Sequence, residues 1–157
     1  MSFLCPYFYI GQSYGGGIIA YIDGSGLHGI IAAPWDQSTG IQWYNGTAVS
    51  TGATATALGT GNANTNTIVT VQGAGSYAAS LCQSLTLGGY SDWYLPSKLE
   101  LNELYINRVA IGGFTTNYYW SSSQSSISWA WLSNFSTGAM ITNTVGTPER
   151  VRAIRSF

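Results

Sequence analysis

The stretch Gly88-Gly-Tyr-Ser-Asp-Trp-Tyr-Leu-Pro-Ser97 sets aromatic residues and a carboxylate between a glycine pair and a proline, and then opens a helix. Pro96 disfavours helical geometry at Leu95, so Trp93 to Leu95 run extended up to a sharp change of direction. Ser97 and Glu100 have the S-x-x-E spacing of a capping box, in which each side chain satisfies a backbone N–H at the helix start. Leu101, Leu104 and Tyr105 follow at i, i+3 and i+4 and give that helix one apolar face. The stretch predicts a buried corner where a strand-like segment hands over to a helix, with the other elements arranged around it.

Upstream, Ile18-Ile-Ala-Tyr-Ile22 and His28-Gly-Ile-Ile-Ala-Ala33 are two β-rich runs separated by Asp23-Gly-Ser-Gly26, which predicts a hairpin closed by Pro34. Trp35 to Tyr44 ends in the turn signal Asn45-Gly46. Asn45-Gly-Thr47 and Asn134-Phe-Ser136 are also glycosylation sequons. The polar, small-residue tract Thr47 to Thr67 reads as an ordered loop feeding a helix around Asn64 to Val71. Ser76 is placed to cap a further helix, Tyr77 to Leu85. After the helix Ser97 to Ile106 and a turn at Ile111 to Phe114, the chain is β in flavour: Tyr118 to Ser123, Ser128 to Phe135, Gly138 to Thr142 and Arg150 to Phe157. Strands, then helices, then strands predict an α+β fold, antiparallel sheets with two or three short helices to one side. The last strand is expected to return beside the first.

For a chain of 157 residues the expectation is one folded domain, residues 14–157, preceded by residues 1–13 as a strand or as a junction to an upstream region. Met1 to Ile10 is apolar but lacks the basic region and cleavage site of a signal peptide. Only 7% of residues are charged, with five basic against six acidic. That leaves no basic surface for nucleic acid, and no stretch reaches the length of a membrane span. The arginines crowd together at Arg150, Arg152 and Arg155, a local arrangement. Cys5 and Cys82 could pair, although a buried free thiol is the commoner outcome for a helical cysteine such as Cys82. Ser13 to Gly17 lacks the lysine and spacing of a phosphate loop. His28, the sole histidine, has no ligand or nucleophile companion, so it reads as structural or surface. Asp92 and Glu100 already have structural roles in the corner and the cap. No enzyme activity, cofactor or metal is expected.

Tyr14-Gly-Gly-Gly-Ile-Ile, Tyr21-Ile-Asp-Gly, His28-Gly-Ile-Ile-Ala-Ala, Asn64-Thr65, Gly88 to Ser97, Tyr119-Trp-Ser-Ser, Ala130-Trp131, Asn134-Phe135, Gly138 and Val151-Arg-Ala-Ile-Arg-Ser-Phe157 occur in that order. From Tyr14 to Phe157 this resembles the C-terminal domain family of the bacterial collagen-like adhesin Lcl. The resemblance implies a C-type-lectin-like fold, found on surface adhesins and phage fibre tips, often as a trimer. It also implies an extracellular setting, on a bacterial surface or a virion. Some relatives are variable proteins of diversity-generating retroelements, which diversify residues ahead of a C-terminal strand like Val151 to Phe157. The calcium-dependent sugar motifs of animal C-type lectins are absent. So is the cationic surface that would suit the sulfated glycans in whose binding the collagen-like adhesin is implicated.

The expected role is therefore a receptor- or glycan-binding module, with a structural assembly head as the alternative. Residues 117–147 are dense in Ser, Thr, Asn, Gln, Tyr and Trp, types that combine adaptable hydrogen bonding with rigid aromatic area. Tyr119, Trp120, Ala130, Trp131 and Phe135 match the family pattern and are expected in the core. Tyr118 and Trp129 fall where the pattern is open, and on a strand Trp129 shares a face with Trp131. Trp129 is either an exposed platform or packed under a loop or in a subunit interface. Tyr118, Gln124, Ser126, Ser128, Trp129, Asn143 and Thr144 are the candidate ligand contacts.

Overall fold

The computed structural model describes residues 7–157. Its elements are β1 Ser13–Tyr14, β2 Gly17–Ile22, β3 Gly29–Ala32, β4 Ser38–Ile41, α1 Gly61–Gln72, α2 Ala78–Gln83, α3 Lys98–Ile106, α4 Arg108–Ile111, β5 Tyr118–Ser126, β6 Trp129–Asn134, β7 Met140–Thr144, β8 Glu149–Val151 and β9 Ile154–Ser156. The fold is α+β, with two sheets ordered β1-β2-β3-β9 and β4-β8-β5-β6-β7. Every strand pair is antiparallel except β5 with β8. Cys5 lies outside the described residues, and Cys82 is fully buried on α2, where desolvation pushes its thiol up.

The expected β2–β3 hairpin forms with Ile22 opposite Gly29. Both faces of its sheet are covered, which explains the unbroken apolar runs in β2 and β3. Ile19 and Ile31 pack with Ile68, Ala78 and Cys82 from α1 and α2. Ala20, Ile30 and Ala32 pack with Leu101, Leu104 and Ile111 from α3 and α4. The helices thus lie on both sides of this sheet rather than on one, and among the described residues they number four because Arg108–Ile111 adds a single turn.

The corner is buried as the sequence predicts. Trp93, Tyr94 and Leu95 are inaccessible, and Tyr94 exchanges both backbone hydrogen bonds with Ile154, at 2.8 and 3.0 Å. Each large indole of the core donates to a backbone carbonyl: Trp43 to Ser121, Trp120 to Ile41, and Trp93 to Tyr90 and Leu87. These bonds satisfy the one polar atom of each ring, so its whole apolar area contributes, about 2–3 kcal/mol per side chain.

The capping box at Ser97 is present, and its acid does more than the spacing predicts. The Glu100 carboxylate accepts from Ser97 N at 2.9 Å, from Gly61 N at 3.0 Å and from Gly59 N at 3.2 Å. One buried anion therefore sits at the N-terminal ends of α1 and α3 together, where the helix dipoles favour negative charge. At α2 the expected cap is displaced by one residue. Tyr77 is the cap, and its N–H donates to Ser80 Oγ at 3.1 Å, leaving Ser76 outside the helix.

The expected single strand Arg150 to Phe157 is two strands in different sheets. β8 pairs with β4 and β5, whereas β9 pairs with β3 and is separated from β1 by both β2 and β3. Arg152 and Ala153 make the crossing, and Arg152 is fully buried there. Its guanidinium binds Asp36 at 2.8–2.9 Å, the carbonyls of Ala33, Gly112 and Gly113 at 2.7–3.1 Å, and the face of Phe114. Asp36 also accepts from Arg150 at 3.0 Å and from the Tyr119 hydroxyl at 2.8 Å. Arg155 pairs with Asp92 through two bonds, at 2.7 and 3.1 Å.

Two substitutions test this account. Gly61→Ala should destabilise the protein, although alanine is the better helix former by about 1 kcal/mol. Its methyl group would fall within 2.8 Å of Ser97 N and 2.9 Å of Leu95 O and would strike the Glu100 carboxylate. Asp36→Asn should cost about 3–5 kcal/mol in urea unfolding, because it leaves the buried Arg152 charge uncompensated. A stability unchanged in either variant contradicts the corresponding contact.

Candidate functional site

The five-stranded sheet presents its most open aromatic surface on β6. The β6–β7 ladder is regular, with Trp129 opposite Thr144, Trp131 opposite Thr142 and Ser133 opposite Met140. Alternation along β6 therefore puts Ala130 and Leu132 into the core and Trp129, Trp131 and Ser133 on the other face. Helix α3 covers the Ser133 end of that face, where Tyr105 meets Phe135 edge to face with ring centroids 5.5 Å apart. At the other end the face is open. Trp129 retains 43% of its exposure, and Trp131 is half-buried.

Trp131 is therefore not the core residue the family pattern implies. Its ring lies beneath the Lys98 ammonium, 3.5 Å from the centroid, a cation–π contact across the first turn of α3. Lys98 is held there by its backbone N–H, which donates to Ser123 Oγ at 3.0 Å. Thr142 and Thr144 complete the face from β7.

The predicted contacts separate into groups. Trp129 and Thr144 are neighbours on the open face, with Ser126 paired to Trp129 from β5 and Ser128 exposed at the hairpin turn. Tyr118, 37% exposed, is paired with Asn134 and so shares the face of Leu132 and Ala130. It stands at the far end of β6 from Trp129, roughly 17 Å along the strand, and the two residues do not form one surface. Asn143 likewise belongs to the opposite face, where its amide donates to Glu149 at 3.2 Å and burial raises the Glu149 carboxyl.

Gln124 is a correction. It is only 4% exposed and turned inward. Its Oε1 accepts from Thr51 N at 2.8 Å and Thr51 Oγ1 at 2.6 Å, and its Nε2 donates to the Val49 carbonyl at 2.8 Å. The side chain pins the 49–53 loop onto β5 and has no capacity left for a ligand. Gln124 lies on the core side of β5 with Trp120, the two being paired with Ala130 and Leu132, and the loop groups that satisfy it are remote in the chain.

Lys98, Trp131 and Thr142 are the members of the open face that sequence reasoning missed. The period-two relation to Trp129 signals Trp131 and Thr142 once the register is known. Lys98 comes from a remote helix and has no signal beyond its place after the cap. His28, by contrast, is exposed on the β2–β3 turn, as expected. Among the described residues no three His, Cys, Asp or Glu side chains gather as a metal site, and no helix is long and apolar enough to cross a membrane.

The family model of the Lcl C-terminal domain matches residues 34–155. That span contains the corner, the whole five-stranded sheet and the open aromatic face. No curated protein matches the chain.

Stability separates the two kinds of candidate. Gln124→Ala should cost about 2–3 kcal/mol, since it strands buried loop donors and acceptors. Trp129→Ala should stay within about 1 kcal/mol of the parent. Chemical denaturation of both variants checks this, and a costly Trp129→Ala contradicts the open placement of that ring.

Proposed function

The chain belongs to the Lcl C-terminal domain family, a domain associated with surface adhesins, and from that premise we propose that it is a non-catalytic module binding a cell-surface glycan through the Trp129–Trp131 face. One observation carries the reading. A tryptophan 43% exposed stands on a regular sheet face between threonine hydroxyls and a second indole. A flat ring with an apolar face stacks on sugar C–H groups, and neighbouring hydroxyls meet the sugar hydroxyls around its edge. The rigid ladder beneath fixes the ring, so little conformational entropy is lost on binding.

The other titratable groups support a binding role. Glu100 is committed to three backbone amides, Asp36 to two arginines and a tyrosine, and Cys82 is sealed in the core. A C-type-lectin-like arrangement, a place on a bacterial surface or phage fibre, and assembly as a homotrimer belong to the same proposal. A protein receptor is the alternative ligand.

A structural assembly head is the second reading. It is favoured by exposed Ile106 and Val109 near the α3–α4 junction and by exposed Ile141 on β7.

A glycan array probed with the parent, Trp129→Ala and Tyr118→Ala tests the proposal, with light scattering after size exclusion to compare assembly. Binding should be lost in Trp129→Ala and kept in Tyr118→Ala, all three proteins assembling alike. Dissociation of Trp129→Ala into smaller species would assign the face to a subunit interface.

A further inference from the structure

We infer that Lys98 makes the same face selective for a glycan carrying a single carboxylate, the sugar ring resting on Trp129 and its acid group meeting the Lys98 ammonium. The inference rests on the glycan reading above. What points to it is the state of Lys98. An ammonium carries three donors, yet the Lys98 side chain has no oxygen partner among the described residues and is held only by the Trp131 ring.

Each of the four arginines has at least one oxygen partner, although Arg150 Nε is buried without one. Arg150 and Arg152 bind Asp36, Arg155 binds Asp92, and Arg108 donates to the Tyr105 carbonyl at 2.8 Å while lying over the Tyr105 ring. Among the described residues Lys98 is thus the lysine or arginine without an oxygen partner, and it stands beside the open Trp129–Trp131 face. An ammonium without an oxygen partner keeps its donors free for a carboxylate, and such charge-assisted bonds are the strong ones.

The spacing suits one sugar. Trp129 and Trp131 are two residues apart on a regular strand, roughly 7 Å, and Lys98 is stacked on the second ring. A pyranose on Trp129 with a carboxylate at its edge reaches toward Lys98, with Thr142 and Thr144 alongside. One lysine without an oxygen partner among the described residues also argues against densely sulfated chains, whose binding draws on many cations at once.

The test uses oligosaccharides ending in glucuronic or N-acetylneuraminic acid, the same compounds with the carboxyl converted to an amide, and sulfated neutral oligosaccharides of equal length. The parent should prefer acid over amide by about tenfold. Lys98→Met, which keeps the aliphatic stem over Trp131, should bring acid binding down to the amide level, and Lys98→Arg should preserve the preference. Trp129→Ala should lose both compounds. Circular dichroism and a thermal melt confirm that the Lys98 variants fold. Equal binding of acid and amide, acid binding undiminished in Lys98→Met, or stronger binding of the sulfated set overturns the inference. If that happens while Trp129→Ala still loses binding, the glycan face stands without its carboxylate preference. Absence of binding to any sugar, or its persistence in Trp129→Ala, removes both.

Discussion

The two sheets are held together where the chain passes between them, and Asp36 is the group at that passage. The chain leaves the small sheet after β3 through residues 33–37 and re-enters it before β9 through residues 152–153. The two crossings run side by side: Ala33 N bonds Ala153 O at 2.9 Å, and Gln37 N bonds Val151 O at 2.8 Å. Between them the Asp36 carboxylate faces Arg152, with Arg150 and Tyr119 on its other oxygen. Few of this protein's residues are charged, and those at the crossing are nearly enclosed. Buried ion pairs of this kind contribute little net stability, but either partner left alone is costly. The arrangement therefore disfavours any packing in which the two crossings separate.

Glu100 plays a comparable part for the helices. Two helix N-termini and the Gly59 amide converge on its carboxylate, which places α1 against the start of α3. Gly61 permits this approach because no side chain intervenes. The start of α3 in turn sets Lys98 over Trp131. The buried end of the corner, Trp93 to Ser97, is thus tied to the open face: the residue after the cap, Lys98, presents its ammonium there.

Much of this was legible locally. The β2–β3 hairpin, the Pro96 corner, the Ser97 cap and the helix that follows rest on interactions between residues a few positions apart, and each formed. The same reasoning failed where the deciding contact is remote. Arg150 to Phe157 has the alternation of one strand, yet the enclosed guanidinium of Arg152 divides it between two sheets. Gln124 has the composition of a polar surface, but it lies on Trp120's inward side of β5 and is satisfied there by Thr51 and Val49, remote in the chain. Tyr118 and Trp129 lie in one tract of sequence and on opposite faces of the sheet.

The sequence by itself determined most of the elements, the α+β order, the buried Pro96 corner and the low charge content, because propensity, capping and periodicity act over a turn of helix or a pair of strand residues. Tertiary structure alone decided which face of β6 is open, which residues of the 117–147 tract share it, and that a lysine from α3 stands there. Those outcomes depend on strand register and on side chains far apart in the chain, and neither leaves a periodic trace in the sequence.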